Sequence, residues 1–136
     1  MPVNRMEHFL VLTDDIDGTR DFYARVLGLK AGFRADLGFA GHWMYLGDVP
    51  CVHIAEWRSY LAHSREIGIP TTRPAASTGA VDHIAFTGTD QEGFARHLRE
   101  QGVEAKLNTV PGVGLWQFFF DDPNGVKIEV NIPKMG

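Results

Sequence analysis

Apolar and polar positions follow one order along this chain, and they follow it twice. Glu7-His8-Phe9-Leu10-Val11-Leu12-Thr13 places an acid and a histidine before a short apolar run ending in threonine. Asp82-His83-Ile84-Ala85-Phe86-Thr87-Gly88 repeats that order, with the histidines 75 positions apart (83 − 8 = 75). Short apolar runs of this kind predict strands. An aspartate follows each, Asp15 and Asp90, and each leads into a helical pattern. The first predicted helix runs from about Ile16 to Leu27, with Phe22, Tyr23, Val26 and Leu27 at helical spacing. Gly28 stands where a left-handed residue ends such a helix. The second runs from about Gln91 to Gln101, with Phe94, Ala95 and Leu98 on one face and Gly102 as its terminator. Three strand-like segments follow each helix: Ala31–Ala35, His42–Leu46 and Val52–Ala55, then Ala105–Val110, Leu115–Phe120 and Val126–Asn131.

Between the halves, residues 58–80 read as a linker rich in Pro, Ser, Thr and Gly, with room for a short helix at Tyr60 to Ile67. The organisation is therefore strand, helix and three strands, repeated: module one at about 5–57 and module two at about 81–132. Neither half is long enough to be an independent domain, so a single domain spanning 1–136 is expected, with an α+β fold. Composition narrows the functional classes. A net charge of −4 without any basic run argues against nucleic acid. One cysteine, Cys51, rules out an internal disulfide and a cysteine-based zinc cluster. No apolar run approaches the roughly 20 residues of a membrane span, and no signal-peptide core precedes the first strand, so a cytoplasmic address is expected.

Strand alternation gives these repeats a chemical meaning. Met6, His8, Leu10 and Leu12 share one face of the first strand, as do His83, Ala85 and Thr87 in the equivalent one. If pseudo-symmetry relates the modules, the two imidazoles occupy equivalent places and form two-thirds of a borderline metal site. Asp122-Pro123-Asn124-Gly125 is a turn, and it feeds a last strand in which Lys127, Glu129 and Asn131 lie opposite Val126, Ile128 and Val130. A carboxylate in so apolar a strand needs a partner. His8, His83 and Glu129 are thus candidate ligands of one divalent ion, with open positions for two adjacent substrate oxygens.

The doubled module, its opening histidines and the closing run from Asp122 to Glu129 together resemble the vicinal oxygen chelate superfamily, which includes glyoxalase I, extradiol dioxygenases, fosfomycin-resistance enzymes and bleomycin-binding proteins. The resemblance covers about Arg5 to Ile132. It implies two βαβββ modules forming a U-shaped mixed sheet around a metal cup, commonly in a homodimer. It also implies metal positions at His8, His83 and Glu129. The fourth position falls at His53, where glyoxalase I carries a carboxylate or glutamine. His53 is therefore a fourth ligand, an acid-base group or a hydrogen-bonded structural histidine of the strand. The two-histidine, one-glutamate pattern makes a ring-cleaving dioxygenase with Fe(II) or Mn(II) the leading expectation. A glyoxalase-like isomerase or lyase with Zn(II) or Ni(II) and a non-catalytic protein sequestering a small toxic compound are the alternatives. Tyr45 and His42 are further candidates for proton transfer. Arg34 and Arg73 are candidates for pairing a substrate carboxylate, and Trp116 and Phe118 for lining the cup.

Overall fold

The computed structural model describes residues 2–71 and 76–134. The chain divides into two compact units, Met1–Ala75 and Ala76–Gly136. The first contains β1 (Phe9–Thr13), α1 (Ile16–Leu27), β2 (Lys30–Ala31), β3 (Gly41–Leu46), β4 (Val49–Glu56) and α2 (Trp57–Ile67). The second contains β5 (Ile84–Thr87), α3 (Gln91–Glu100), β6 (Lys106–Val110), β7 (Leu115–Asp121) and β8 (Lys127–Pro133). Each unit builds one four-stranded sheet, in the orders β1-β4-β3-β2 and β5-β8-β7-β6. The outer pairs β1–β4 and β5–β8 are parallel and the others antiparallel. This is the expected α+β pair of βαβββ modules. Among the described residues, no helix is long and apolar enough to cross a membrane.

The helices form where the sequence supplies both ends. Asp15 accepts a hydrogen bond from the Gly18 amide at 2.9 Å, satisfying a donor in the first turn of α1. At the other end Gly28 adopts φ 76°, and its amide donates to the Ala24 carbonyl. Phe22, Tyr23 and Val26 are buried, and so are Met44, Val52 and Ile54 of the sheet. In the second unit Phe94 of α3 meets Phe118 edge-on at 5.1 Å, above a core that includes Ile128, Val130 and Ile132. The predicted turn at Asp122 is present. Its buried carboxylate accepts from the amides of Asn124 and Val126 at 2.7 and 2.9 Å, which fixes the entry of β8 and hence the position of Glu129.

Three elements depart from the sequence reading. The strand expected at Ala31–Ala35 is reduced to Lys30–Ala31. Past it the Tyr45 ring lies where a Cβ on Gly32 would sit, and the Tyr45 hydroxyl donates to the Phe33 carbonyl. Gly38 at φ 82° and an Asp36 carboxylate accepting from its amide then carry residues 32–40 away as a loop. The second departure is the start of α2: the helix allowed for at Tyr60 to Ile67 is present but begins at Trp57, just ahead of the predicted linker, and runs for 11 residues. Glu56 ends β4 and caps it, accepting from the Ser59 amide at 2.9 Å. Finally, His8 and His83 each stand one residue ahead of the strand expected to contain them.

Candidate metal and substrate site

In the first unit the pairing register gathers three rings. His53 on β4 lies opposite Leu10 of β1 and Trp43 of β3. His8, two residues before Leu10, falls on the same face by strand alternation. The His8 and His53 rings stack at 3.6 Å with planes 8° apart, and Trp43 stacks on His53 at 4.4 Å and 16°. Glu7 Oε1 lies 2.8 Å from His8 Nδ1. A carboxylate only accepts, so this bond places the proton on Nδ1 and leaves the Nε2 lone pair free. His53 is held below the ordinary imidazole pKa, first by burial and then by the neighbouring His8. Hydrogen bonding to the Pro50 backbone opposes that shift, while Nε2 is buried without a partner.

The second unit repeats the arrangement with a carboxylate. Glu129 on β8 lies opposite Ala85 of β5 and Phe119 of β7. His83 stands two residues before Ala85, as His8 does before Leu10, so Glu129 is the register equivalent of His53. Asp82 Oδ2 lies 2.8 Å from His83 Nδ1, while His83 Nε2 lies 3.5 Å from Glu129 Oε1. Glu129 is 9% exposed, and its Oε2 accepts from Asn131 Nδ2 at 2.6 Å. Bonds from His83 and then Lys127 hold the Asp82 carboxyl below the usual carboxylate range. Lys127 Nζ lies 3.1 and 3.2 Å from its two oxygens.

Each unit thus offers a histidine whose Nδ1 is held by the acid that precedes it. The second adds a buried carboxylate beside it, and the first an orphaned imidazole nitrogen. Imidazole nitrogen with carboxylate oxygen is a donor set that suits first-row divalent ions. Among the described residues, no group of three or more His, Cys, Asp or Glu side chains is close enough together to hold a metal ion.

The first unit also has a cavity of about 310 Å³, whose lining includes His8, His53, Arg34, Phe39, Trp43 and Tyr60. Arg34, expected from sequence as an anion contact, is therefore in that wall, beside both histidines. Tyr45 is not; its hydroxyl is engaged by the Phe33 carbonyl. His42 Nε2 donates to the Asp17 carboxylate of α1 at 2.8 Å, tying the helix to the sheet. Trp116 and Phe118 need correction as cup-lining residues. They pair with Ile132 and Val130, on the helix-packing face of β7, opposite the face that carries Glu129. Phe118 is core, and Phe119 and Gln117 flank the Glu129 side. Arg73 lies outside the described residues. Sequence reasoning missed Glu7 and Asp82 as orienting acids, although the repeated acid-histidine dipeptide carried that signal. It also passed over Tyr60 and the stack of Trp43 on His53.

Comparison with known proteins agrees with this architecture. The family model described as Glyoxalase/Bleomycin resistance protein/Dioxygenase superfamily matches residues 5–130. "Glyoxylase I 4" of Arabidopsis thaliana is 27% identical over 128 residues, covering 92% of this chain and 68% of the plant protein. Among solved structures, lactoylglutathione lyase from Agrobacterium tumefaciens superposes with a TM-score of 0.72 at 18% identity, over 96% of this chain and 95% of that one. The fosfomycin resistance protein FosX from Listeria monocytogenes, complexed with Mn(II) and dihydroxypropylphosphonic acid, gives a TM-score of 0.71 at 13% identity, covering 98% and 95%.

Proposed function

Because the chain belongs to the glyoxalase, bleomycin resistance protein and dioxygenase superfamily, we propose that it is a metal-dependent enzyme acting on a small substrate that presents two adjacent oxygens. His8, His83 and Glu129 hold one divalent ion in this reading, within a single domain built from both modules. The observation that carries it is the repeated frame: an acid-oriented histidine two residues before the strand position that pairs with His53 in one unit and Glu129 in the other. When bound, such an ion supplies Lewis-acid stabilisation of charge developing on a substrate oxygen.

The protein's own residues do the rest. Glu7 and Asp82 keep the His8 and His83 protons on Nδ1. Asn131 donates to Glu129 Oε2 and fixes the carboxylate orientation. His53 stays neutral near pH 7 because burial depresses its pKa, so Nε2 is a proton acceptor for a substrate hydroxyl. Phe39, Trp43 and Tyr60 exclude water from one side of the cavity.

A neutral imidazole at the fourth position, in place of a carboxylate, favours extradiol ring cleavage with Fe(II) or Mn(II). Similarity to the Arabidopsis glyoxylase favours a second reading, an isomerase or lyase with Zn(II) or Ni(II). A cytoplasmic homodimer belongs to either reading. The test is elemental analysis of protein purified without chelators or a metal-affinity tag, with Glu129→Ala and His83→Ala variants alongside. Near-stoichiometric metal lost in both variants is expected. Iron or manganese with catechol-dependent oxygen uptake selects the dioxygenase, and nickel or zinc without it selects the isomerase. No metal after reconstitution with each ion removes the enzyme reading and leaves a sequestering protein.

A further inference from the structure

The cavity of the first unit holds a cation that no carboxylate pairs directly. Arg34 lines it, and one guanidinium nitrogen, Nη2, donates to the Phe39 carbonyl at 2.8 Å. Nε is buried without a partner. Among the described residues, no carboxylate lies within ion-pair distance of Arg34. A guanidinium has five N–H donors, and the fold answers one of its nitrogens. Its carbon sits 5.0 Å from the Phe39 ring centroid, so the ring face holds the group in place without neutralising it. A partly desolvated, unpaired guanidinium is costly to maintain unless an anion completes it.

The remaining wall describes what that anion belongs to. Leu10, Leu37, Phe39, Trp43, Ile54 and Tyr60 make it largely apolar and aromatic. At about 310 Å³ it lies at the small end of ligand cavities, which span about 300–1,000 Å³. The wall's one carboxylate, Glu7, is engaged by His8, and Arg34 is its single permanent cation; one guanidinium offers charge for a monoanion and not for a dianion. We propose that Arg34 is the specificity-determining residue of this cavity and that the substrate is a compact aromatic or unsaturated carboxylate. This deepens the proposed function and rests on it for the reaction, while the binding step itself needs no metal.

That independence sets the experiment. Benzoate, its neutral isostere benzamide and phenylphosphonate are titrated by calorimetry into full-length protein in EDTA. The proteins are wild type, Arg34→Gln and Arg34→Lys, with near-UV circular dichroism as the check on folding. Expected is benzoate binding to wild type at least tenfold tighter than benzamide. That preference should vanish in Arg34→Gln and be partly kept in Arg34→Lys, which retains charge without the planar fork. Equal affinity for benzoate and benzamide, benzoate binding unchanged in a folded Arg34→Gln, absence of benzoate binding, or a preference for phenylphosphonate would each overturn the assignment. A protein that fails the metal analysis but discriminates benzoate through Arg34 refutes only the enzyme reading. One that holds metal but shows no discrimination refutes only this inference.

Discussion

The N-caps of α1 and α3 are two copies of one device, and they set up a thermodynamic cycle. Asp15 and Asp90 accept from the amides of Gly18 and Gly93 at 2.9 and 3.1 Å. A Cβ on either glycine would stand 2.2 or 2.1 Å from Oδ2 of the capping carboxylate, whose Oδ1 accepts the bond, so an alanine there must eject the carboxylate. Losing the cap costs about 1 kcal/mol. Replacing glycine by alanine in a helix returns up to about 1 kcal/mol. Gly18→Ala alone is thus expected to be near neutral, because the two effects cancel. Asp15→Ala alone costs about 1 kcal/mol. In the double variant the carboxylate is already gone, the alanine gain survives undiminished, and stability returns to within a few tenths of wild type. The singles sum to a loss of about 1 kcal/mol and the double loses almost nothing, a coupling of about 1 kcal/mol. Urea unfolding followed by circular dichroism measures all four proteins, with a constant m-value required for the comparison. Additivity within about 0.3 kcal/mol would refute competition between the Cβ and the capping oxygen. The second copy adds a contrast, because Asp90 holds φ 61° whereas Asp15 sits at φ −131°. Asp90→Gly relieves a left-handed strain that Asp15→Gly does not, so the first is expected to be the less damaging.

Other consequences are equally open to measurement. Phe118→Ala, deep in the second core, should cost about 3–5 kcal/mol in urea unfolding, and a loss below about 1 kcal/mol would contradict its place beneath α3. Glu129→Gln should abolish the thermal upshift on adding Mn(II). That upshift corresponds in wild type to about 2.7 kcal/mol at a metal concentration 100 times Kd, and equal shifts in both proteins would exclude Glu129 as a ligand. The hydrogen bond with His42 holds the exposed Asp17 carboxyl below its ordinary pKa. The stability it contributes is present above the unfolded value of 3.8 and is lost as pH falls through the lowered native one. In His42→Ala, NMR titration should find the Asp17 pKa higher than in wild type, and an unmoved value would refute the pairing.

Much of the fold was legible because its signals are local. Helix α1 begins and ends where Asp15 and Gly28 predict, since a capping carboxylate and a left-handed glycine act within one turn. The loss of most of Ala31–Ala35 as a strand was not legible, because it turns on the Tyr45 ring lying over Gly32 from an element 13 positions away. The first turn of α2 was hidden for a different reason: Glu56 is both the last residue of a strand and the cap of a helix. The equivalence of His53 and Glu129 was readable from matched flanking residues, and the register repeats it. The misassignment of Trp116 and Phe118 shows the limit. Alternation tells which residues share a face, but only pairing with Val130 and Ile132 tells that the face is the helix-packed one.

The loop that carries Arg34 has a counterpart. From Gly28 to Gly41 is the same distance as from Gly102 to Leu115 (41 − 28 = 13; 115 − 102 = 13). In the second unit that stretch is zipped into a sheet as five residues of β6 closed by a tight turn, whereas in the first only two residues remain paired. One side of the cavity wall, Arg34, Leu37 and Phe39, thus comes from the stretch that forms an edge strand in the other unit, with no residues inserted. In this doubled frame one copy forgoes ladder hydrogen bonds that the other makes, and the segment so freed carries Arg34. The cost falls on local cohesion. Amides of residues 33–40 should exchange with solvent faster than those of 106–110, so the edge of the unit that carries Arg34 is expected to open more easily than that of the other.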